Sequence, residues 1–154
     1  MLLWLLLAAV IIVFDQLVKI WVVNSIGLSD SLKIIPGILD FVYVKNKGAA
    51  FSFLAHKEYG IVVLSVISVL FCLAVIWYML KKKPKSKLLI ISLSLMVGGA
   101  AGNVIDRIFR GFVVDFIEVQ FINFPVFNIA DIAITIGAVL IIIYEIFYDK
   151  MKKE

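Results

Sequence analysis

Charge is scarce in this chain. Of 154 residues only 17% are Asp, Glu, Lys or Arg, while 64% are hydrophobic. With so few charges a solvated surface is hard to build, and soluble domains are only about 45–50% apolar. Mean hydropathy of +1.12 points to an integral membrane protein, and one domain, residues 1–154, is the natural count. Cysteine is nearly absent: Cys72, within an apolar run, has no second cysteine to bridge to and reads as a small packing residue. The single histidine is His56. One His and one Cys do not supply the usual three or four zinc ligands, and no His-Glu-x-x-His motif occurs. No metal and no cofactor is expected.

Four stretches are long and apolar enough to cross a bilayer, which takes about 20 residues per helix: 2–23, 59–80, 88–109 and 128–148. The first lacks a basic n-region, is interrupted by Asp15, Gln16 and Lys19, and precedes no small-x-small cleavage site, so it reads as a retained helix and not a cleaved leader. Lysines cluster at Lys81, Lys82, Lys83, Lys85 and Lys87, and again at Lys150, Lys152 and Lys153. Flanking apolar spans, such clusters mark the cytoplasmic side. Both termini are then cytoplasmic, and segments 24–58 and 110–127 face outward. No basic stripe interleaved with aromatics suggests nucleic-acid binding. In the first outer segment Pro36-Gly37 signals a turn. Ile38 to Val44 is rich in β-formers and is expected to pair with Ala49 to Leu54 across Asn46-Lys47-Gly48. The fold class is an all-α polytopic membrane protein, four transmembrane helices with a small extracytoplasmic β-element.

Polar residues in such a chain call for an explanation, since an ionisable group at mid-membrane costs about 2.5–3.5 kcal/mol on insertion scales. Asp115 and Asp131 each sit in an apolar stretch. Asp15 and Lys19, four apart, share a helix face and can neutralise each other. Gly98-Gly99-Ala100-Ala101-Gly102 reads as a close-packing helix surface. Asn103, Asp106 and Arg107 follow it and are expected to point the same way; Asp106 and Arg107 can pair, or Arg107 can reach another carboxylate. Asn128 could serve as an N-cap, which leaves Asp131, one turn further in, unexplained. Thr135 lies on the same face. All these groups fall near the outer leaflet, and their common depth suggests one site. Two carboxylates within about 3 Å share a proton. One can then draw a proton from water while the other protonates a carbonyl, which is aspartyl peptide hydrolysis.

Five blocks occur in order: Asp15-Gln16-x-x-Lys19; Asn46-x-Gly48-Ala49-Ala50-Phe51-Ser52; Gly98-Gly99-Ala100-x-Gly102-Asn103-x-x-Asp106-Arg107; Val113-Val114-Asp115-Phe116; and Phe127-Asn128-x-Ala130-Asp131. Together they resemble the lipoprotein signal peptidases, the bacterial signal peptidase II family, over nearly the whole chain. The resemblance implies an aspartyl endopeptidase of the bacterial inner membrane with Asp115 and Asp131 as its catalytic pair. Asp15, Lys19, Asn46, Gly48, Asn103, Asp106, Arg107, Asn128 and Ala130 match the family's supporting or substrate-binding positions. The implied substrate is a diacylglyceryl prolipoprotein, cut before its lipidated cysteine at the outer membrane face. Membrane lipid is the implied surrounding and a globomycin-type cyclic peptide the implied inhibitor, and a monomer is expected. Ile132 stands where the family often has a small residue, and the stretch between the two aspartates is short; both bear on the outer rim.

Three other readings fit parts of the pattern. A Ser-Lys dyad could combine Ser52 with Lys45, Lys47 or Lys57. A proton- or ion-conducting subunit would use intramembrane polar groups, although the inner halves of the helices offer little beyond Glu145. A structural subunit would use them to hold partner helices.

Overall fold

The computed structural model describes residues 2–28, 30–48 and 59–151, with side chains over 4–28, 30–48 and 59–147. Its helices are α1 (Leu2–Ser25), α2 (Gly60–Lys82), α3 (Lys87–Arg110) and α4 (Ile129–Met151). All four are long and apolar enough to span a membrane. They match the stretches read from hydropathy to within three residues. Most run slightly further because a helix continues into the interface after its apolar pattern stops, as α2 does through Lys81 and Lys82. That helix ends on Lys83 in the left-handed conformation (φ 45°), followed by Pro84, which cannot extend it. Ser86 then caps α3, accepting from the Leu89 N–H.

Helix α3 lies at the centre, packed against α1, α2 and α4. More than half of its span is buried (56%), against 11–22% of the other three. Its glycines explain the position, as the packing reading expected. A Cβ on Gly98 would press on the Ala8 carbonyl and Ile11 of α1. One on Gly99 would run into the Ala130 carbonyl and stand 2.8 Å from the Ile134 side chain of α4. At the end of the bundle near the α2–α3 connection Trp4, Val75, Met79, Leu89, Leu93, Val97 and Tyr144 form an apolar cluster joining all four helices. Ser92 and Ser94, also buried, donate to the carbonyls four residues back, so they add no unmet polar group.

The outer segments supply a three-stranded antiparallel sheet, β1 (Ser31–Ile35), β2 (Leu39–Asn46) and β3 (Val113–Val119), in the order β1-β2-β3. This is where the structure departs most from the sequence reading. The expected partner of β2, Ala49 to Leu54, lies outside the described residues. What pairs with β2 is β1, across the turn holding Pro36 and Gly37 (φ 74°), and β3, which follows α3 in the chain. Val22 of α1 and Ile26 just after it pack with Val114 and Phe116 of β3 in a second apolar cluster. Trp21 meets Phe41 edge-on at 6.2 Å. The sheet therefore rests on the C-terminal end of α1.

Candidate active site

Asp115 and Asp131 arrive from different elements and meet a common set of amides. Strand register places Asp115 opposite Val44, next to the end of β2. Its side chain is buried. Asn46, the last residue of β2, donates its amide to Asp115 Oδ2 at 2.7 Å, and its own Oδ1 accepts the Gly48 N–H at 2.8 Å. Asn128 donates to Asp115 Oδ1 at 2.6 Å. On the other side Asn103 donates to Asp131 Oδ1 at 2.8 Å.

Asn128 and Asp131 also cap α4 reciprocally. Asn128 Oδ1 accepts the Asp131 N–H at 3.0 Å, and Asp131 Oδ2 accepts the Asn128 N–H at 3.2 Å. This is a capping box with an aspartate at its third position. The N-cap reading of Asn128 is thus correct and incomplete, since the amide left over by the cap joins Asp115 to the same helix end.

Behind this layer lies a second cluster, whose core of Lys19, Asp15 and Asp106 is fully buried. Lys19 Nζ stands 2.8 Å from Asp15 Oδ2, 3.1 Å from Asp106 Oδ2 and 2.9 Å from Asn103 Oδ1. Asp15 Oδ1 accepts the Ala130 N–H at 3.0 Å, and Asp106 Oδ2 accepts the Val114 N–H at 3.0 Å. Gly102 admits this arrangement, because a Cβ there would lie 2.7 Å from Asp15 Oδ2. Gln16 and Arg110 complete it. Gln16 donates to the Gly102 carbonyl and to Asp106, and Arg110 Nε lies 3.1 Å from Asp106 Oδ1.

One expectation needs correction. Asn103, Asp106 and Arg107 do not point the same way. Asn103 and Arg107, one helical turn apart, face the cleft, whereas Asp106 turns inward to Lys19 and Arg110. A single-residue step rotates a helix by about 100°, so 106 and 107 cannot share the face that 103 and 107 share. Gln16 and Arg110 were not among the candidate residues. Gln16 stood inside a quoted motif, and Arg110 lies four residues after Asp106, the spacing of a helical ion pair. Of the Ser-Lys alternative, Ser52 and Lys57 lie outside the described residues, while Lys45 and Lys47 sit on the cleft wall.

The cleft has a volume of about 1130 Å³. Its polar end holds Asn46, Asn103, Arg107, Asp115 and Asp131, and it continues along α4 past Ile132, Ile134, Thr135 and Ile136. Ile132 and Ile136 are 38% and 47% exposed, so that wall opens towards lipid. Burial pushes the Asp115 carboxyl up to about 6, helped by the negative charge of Asp131 and opposed by the amides of Asn46 and Asn128 and by Lys19. Among the described residues, no cluster of His, Cys, Asp and Glu could hold a metal ion.

Comparison with known proteins agrees with this architecture. The family described as signal peptidase (SPase) II matches residues 7–147. The lipoprotein signal peptidase of Lactococcus lactis subsp. lactis (strain IL1403) is 44% identical over 142 residues, 92% of this chain and 91% of that protein. Its counterpart from Clostridium acetobutylicum is 40% identical over 150 residues, 96% of each. A bacterial membrane enzyme solved by the in meso method at 2.3 Å resolution superposes with a TM-score of 0.87 at 33% identity, covering 98% of this chain and 91% of that one. A second such structure, at 1.9 Å resolution, gives 0.81 at 34% identity, covering 91% and 90%. With its four spans, three-stranded sheet and cleft lined by Asp115 and Asp131, the chain belongs to the signal peptidase II family and is a multi-pass membrane protease.

Proposed function

We propose that this protease is an aspartyl endopeptidase that removes the signal peptide from diacylglyceryl prolipoproteins, cutting before the lipidated cysteine, with Asp115 and Asp131 as the catalytic pair. The observation that carries the reading is the single Asn128 side chain that both caps the helix bearing Asp131 and donates to Asp115 at the polar end of one cleft. The whole chain acts as one membrane peptidase unit and as a monomer. Both termini are cytoplasmic, and the cleft faces the outer side of the bacterial cytoplasmic membrane.

Burial and the neighbouring Asp131 raise the Asp115 carboxyl to about 6, which suits Asp115 to the role of the acid. Asp131 takes a proton from water as the water oxygen attacks the scissile carbonyl carbon. Asp115 gives its proton to the carbonyl oxygen, producing a gem-diol. Asp131 then protonates the departing nitrogen as the C–N bond breaks, and Asp115 recovers a proton from the diol. The signal peptide leaves with a new carboxyl group, the lipidated cysteine with a free amine, and the pair regains one proton. Arg107, on the cleft wall beside both carboxylates, holds the peptide backbone, and Asn46, Gly48 and Asn103 shape its bed. A globomycin-type cyclic peptide competes for the same bed.

The isoleucine-lined wall of α4 suits acyl chains that remain in lipid while the peptide enters the polar end. Each buried methylene adds about 0.8 kcal/mol of anchoring, so two chains hold the scissile bond at the level of the dyad. The test is a gel-shift assay comparing a diacylated prolipoprotein with its unmodified form in one detergent, each with wild-type and Asp115→Asn protein. Cleavage of the diacylated form by wild type alone is expected. Equal rates for the two substrates would refute the substrate class, and turnover by Asp115→Asn would refute the dyad.

A further inference from the structure

We propose that Lys19, which lies outside the cleft, is a positioning residue that sets the spacing of Asp115 and Asp131 by locking two backbone tethers together; this rests on the dyad reading above. Each tether ends one residue short of a dyad member. Asp15 holds the N–H of Ala130, the residue before Asp131, and Asp106 holds the N–H of Val114, the residue before Asp115. Both carboxylates converge on the Lys19 ammonium. Its remaining partner, Asn103 Oδ1, belongs to the side chain that donates to Asp131. An ammonium has three hydrogens to donate, and all three go to groups that steer the pair.

Charge explains why a lysine stands there. Asp15 and Asp106 bring two carboxylates together at positions with no exposed surface. Lys19 and Arg110 balance them. Without the ammonium the carboxylates repel and draw Ala130 and Val114 apart, and the dyad follows. Besides this cluster, β3 is joined to the start of α4 by the Asn128 amide, by backbone hydrogen bonds of Phe116 and Ile117 with Phe127, and by Ile129 packing on the cluster of Val114 and Phe116. Lys19, Asp15 and Asp106 are all absent from the cleft wall, so they touch no substrate.

Lys19→Met alone leaves two buried carboxylates facing one cation. The informative variant is Lys19→Met with Asp15→Asn, which restores neutrality and keeps an acceptor for the Ala130 N–H. With the diacylated substrate, kcat is expected to fall roughly 100-fold, the scale of an ångström-sized misplacement, while KM stays within about threefold. The pH profile supplies a readout that mere loss of stability would not move. Asp115 is faced by Asn46 from β2, Arg107 from α3, Asn128 and Asp131 from α4 and Lys19 from α1. Losing the last of these cations moves the limb set by Asp115 to higher pH. Arg110→Gln, at the partly exposed end of the cluster, tests the tether on Asp106 in a variant expected to fold regardless, and should lower kcat at unchanged KM. Wild-type kcat and an unmoved limb in the double variant would overturn the proposal. So would a rise in KM alone, or wild-type kcat in Arg110→Gln should the double variant not fold. If Asp115→Asn proved active, the dyad would fall first; if it is inactive while these variants turn over normally, only the role of Lys19 falls.

Discussion

Burial and the neighbouring charge of Asp131 hold the Asp115 proton to about 6 in place of 3.8, and this has consequences for both stability and rate. Between those values the folded protein keeps a proton that the unfolded chain has released, so the stabilising contribution is full below 3.8 and is lost as pH rises through 6. The loss amounts to about 3 kcal/mol. Thermal unfolding in detergent should therefore show wild type losing stability between pH 4 and 7 relative to Asp115→Asn; parallel pH dependences would contradict the shift. The variant also meets a pH-independent cost. Both oxygens of Asp115 accept from amides, and an Asn there sets a donor against a donor, at about 1–3 kcal/mol. In the proposed mechanism kcat/KM falls on the alkaline side as Asp115 ionises, and an activity that climbs steadily through pH 7 would exclude Asp115 as the acid. Asn128→Asp separates the two jobs of Asn128. An aspartate still caps α4 but no longer donates to Asp115, so activity should fall at least about 100-fold with helix content unchanged by circular dichroism. That Asp115 and Asp131 would line one cleft could be expected from the sequence because carboxylates are costly in apolar runs. The cluster members Gln16 and Arg110 were not legible there, because their partners lie 90 residues away on another helix or are shared with Lys19.

At the level of elements, the helices could be read almost to the residue, since each is a long apolar stretch with polar ends. The sheet could not. Strand β2 was recognisable from its β-branched and aromatic residues, but its partners were not. β1 is five residues long and exposed throughout, so it has no alternation to announce it. β3 follows α3 directly after Gly111 (φ 73°), and it pairs with a strand more than sixty residues earlier. No local pattern encodes such a pairing. The packing role of the small residues was legible because only close helix contact explains so many in one turn. That contact gives a direct prediction. Gly99→Val places a branched side chain where the Ala130 carbonyl and Ile134 already stand, forcing α3 and α4 apart. Overpacking costs about 1–3 kcal/mol, and Asp131 moves with α4. Thermal unfolding should show a lower Tm, with activity reduced at temperatures where the variant is still folded. A variant with wild-type Tm would mean that the helices do not approach this closely.

The whole molecule divides its polar groups unequally between its two ends, and that asymmetry supports the proposed orientation in a membrane. At one end an apolar cluster from Trp4 to Tyr144 ties all four helices together, next to the lysine-rich connection between α2 and α3. At the other end lie the sheet, the cleft and the buried ion cluster. A continuous conducting path would need polar groups through both halves, and the apolar cluster argues against one. Lysines beside apolar spans favour the cytoplasmic side, which supports the proposed orientation, with the sheet and the two aspartates facing outward. Trp21 stacked edge-on against Phe41 agrees, since tryptophan favours the membrane–water interface. Cysteine labelling tests the arrangement in a Cys72→Ala background. Lys33 on β1 and Lys85 between α2 and α3 are both exposed and are replaced by cysteine one at a time. In spheroplasts a membrane-impermeant maleimide should label Lys33→Cys at once, and Lys85→Cys only after permeabilisation. The reverse pattern would put the cleft in the cytoplasm, on the wrong side for a substrate whose mature part has already crossed the membrane, and would remove the proposed function whatever the geometry of the aspartates.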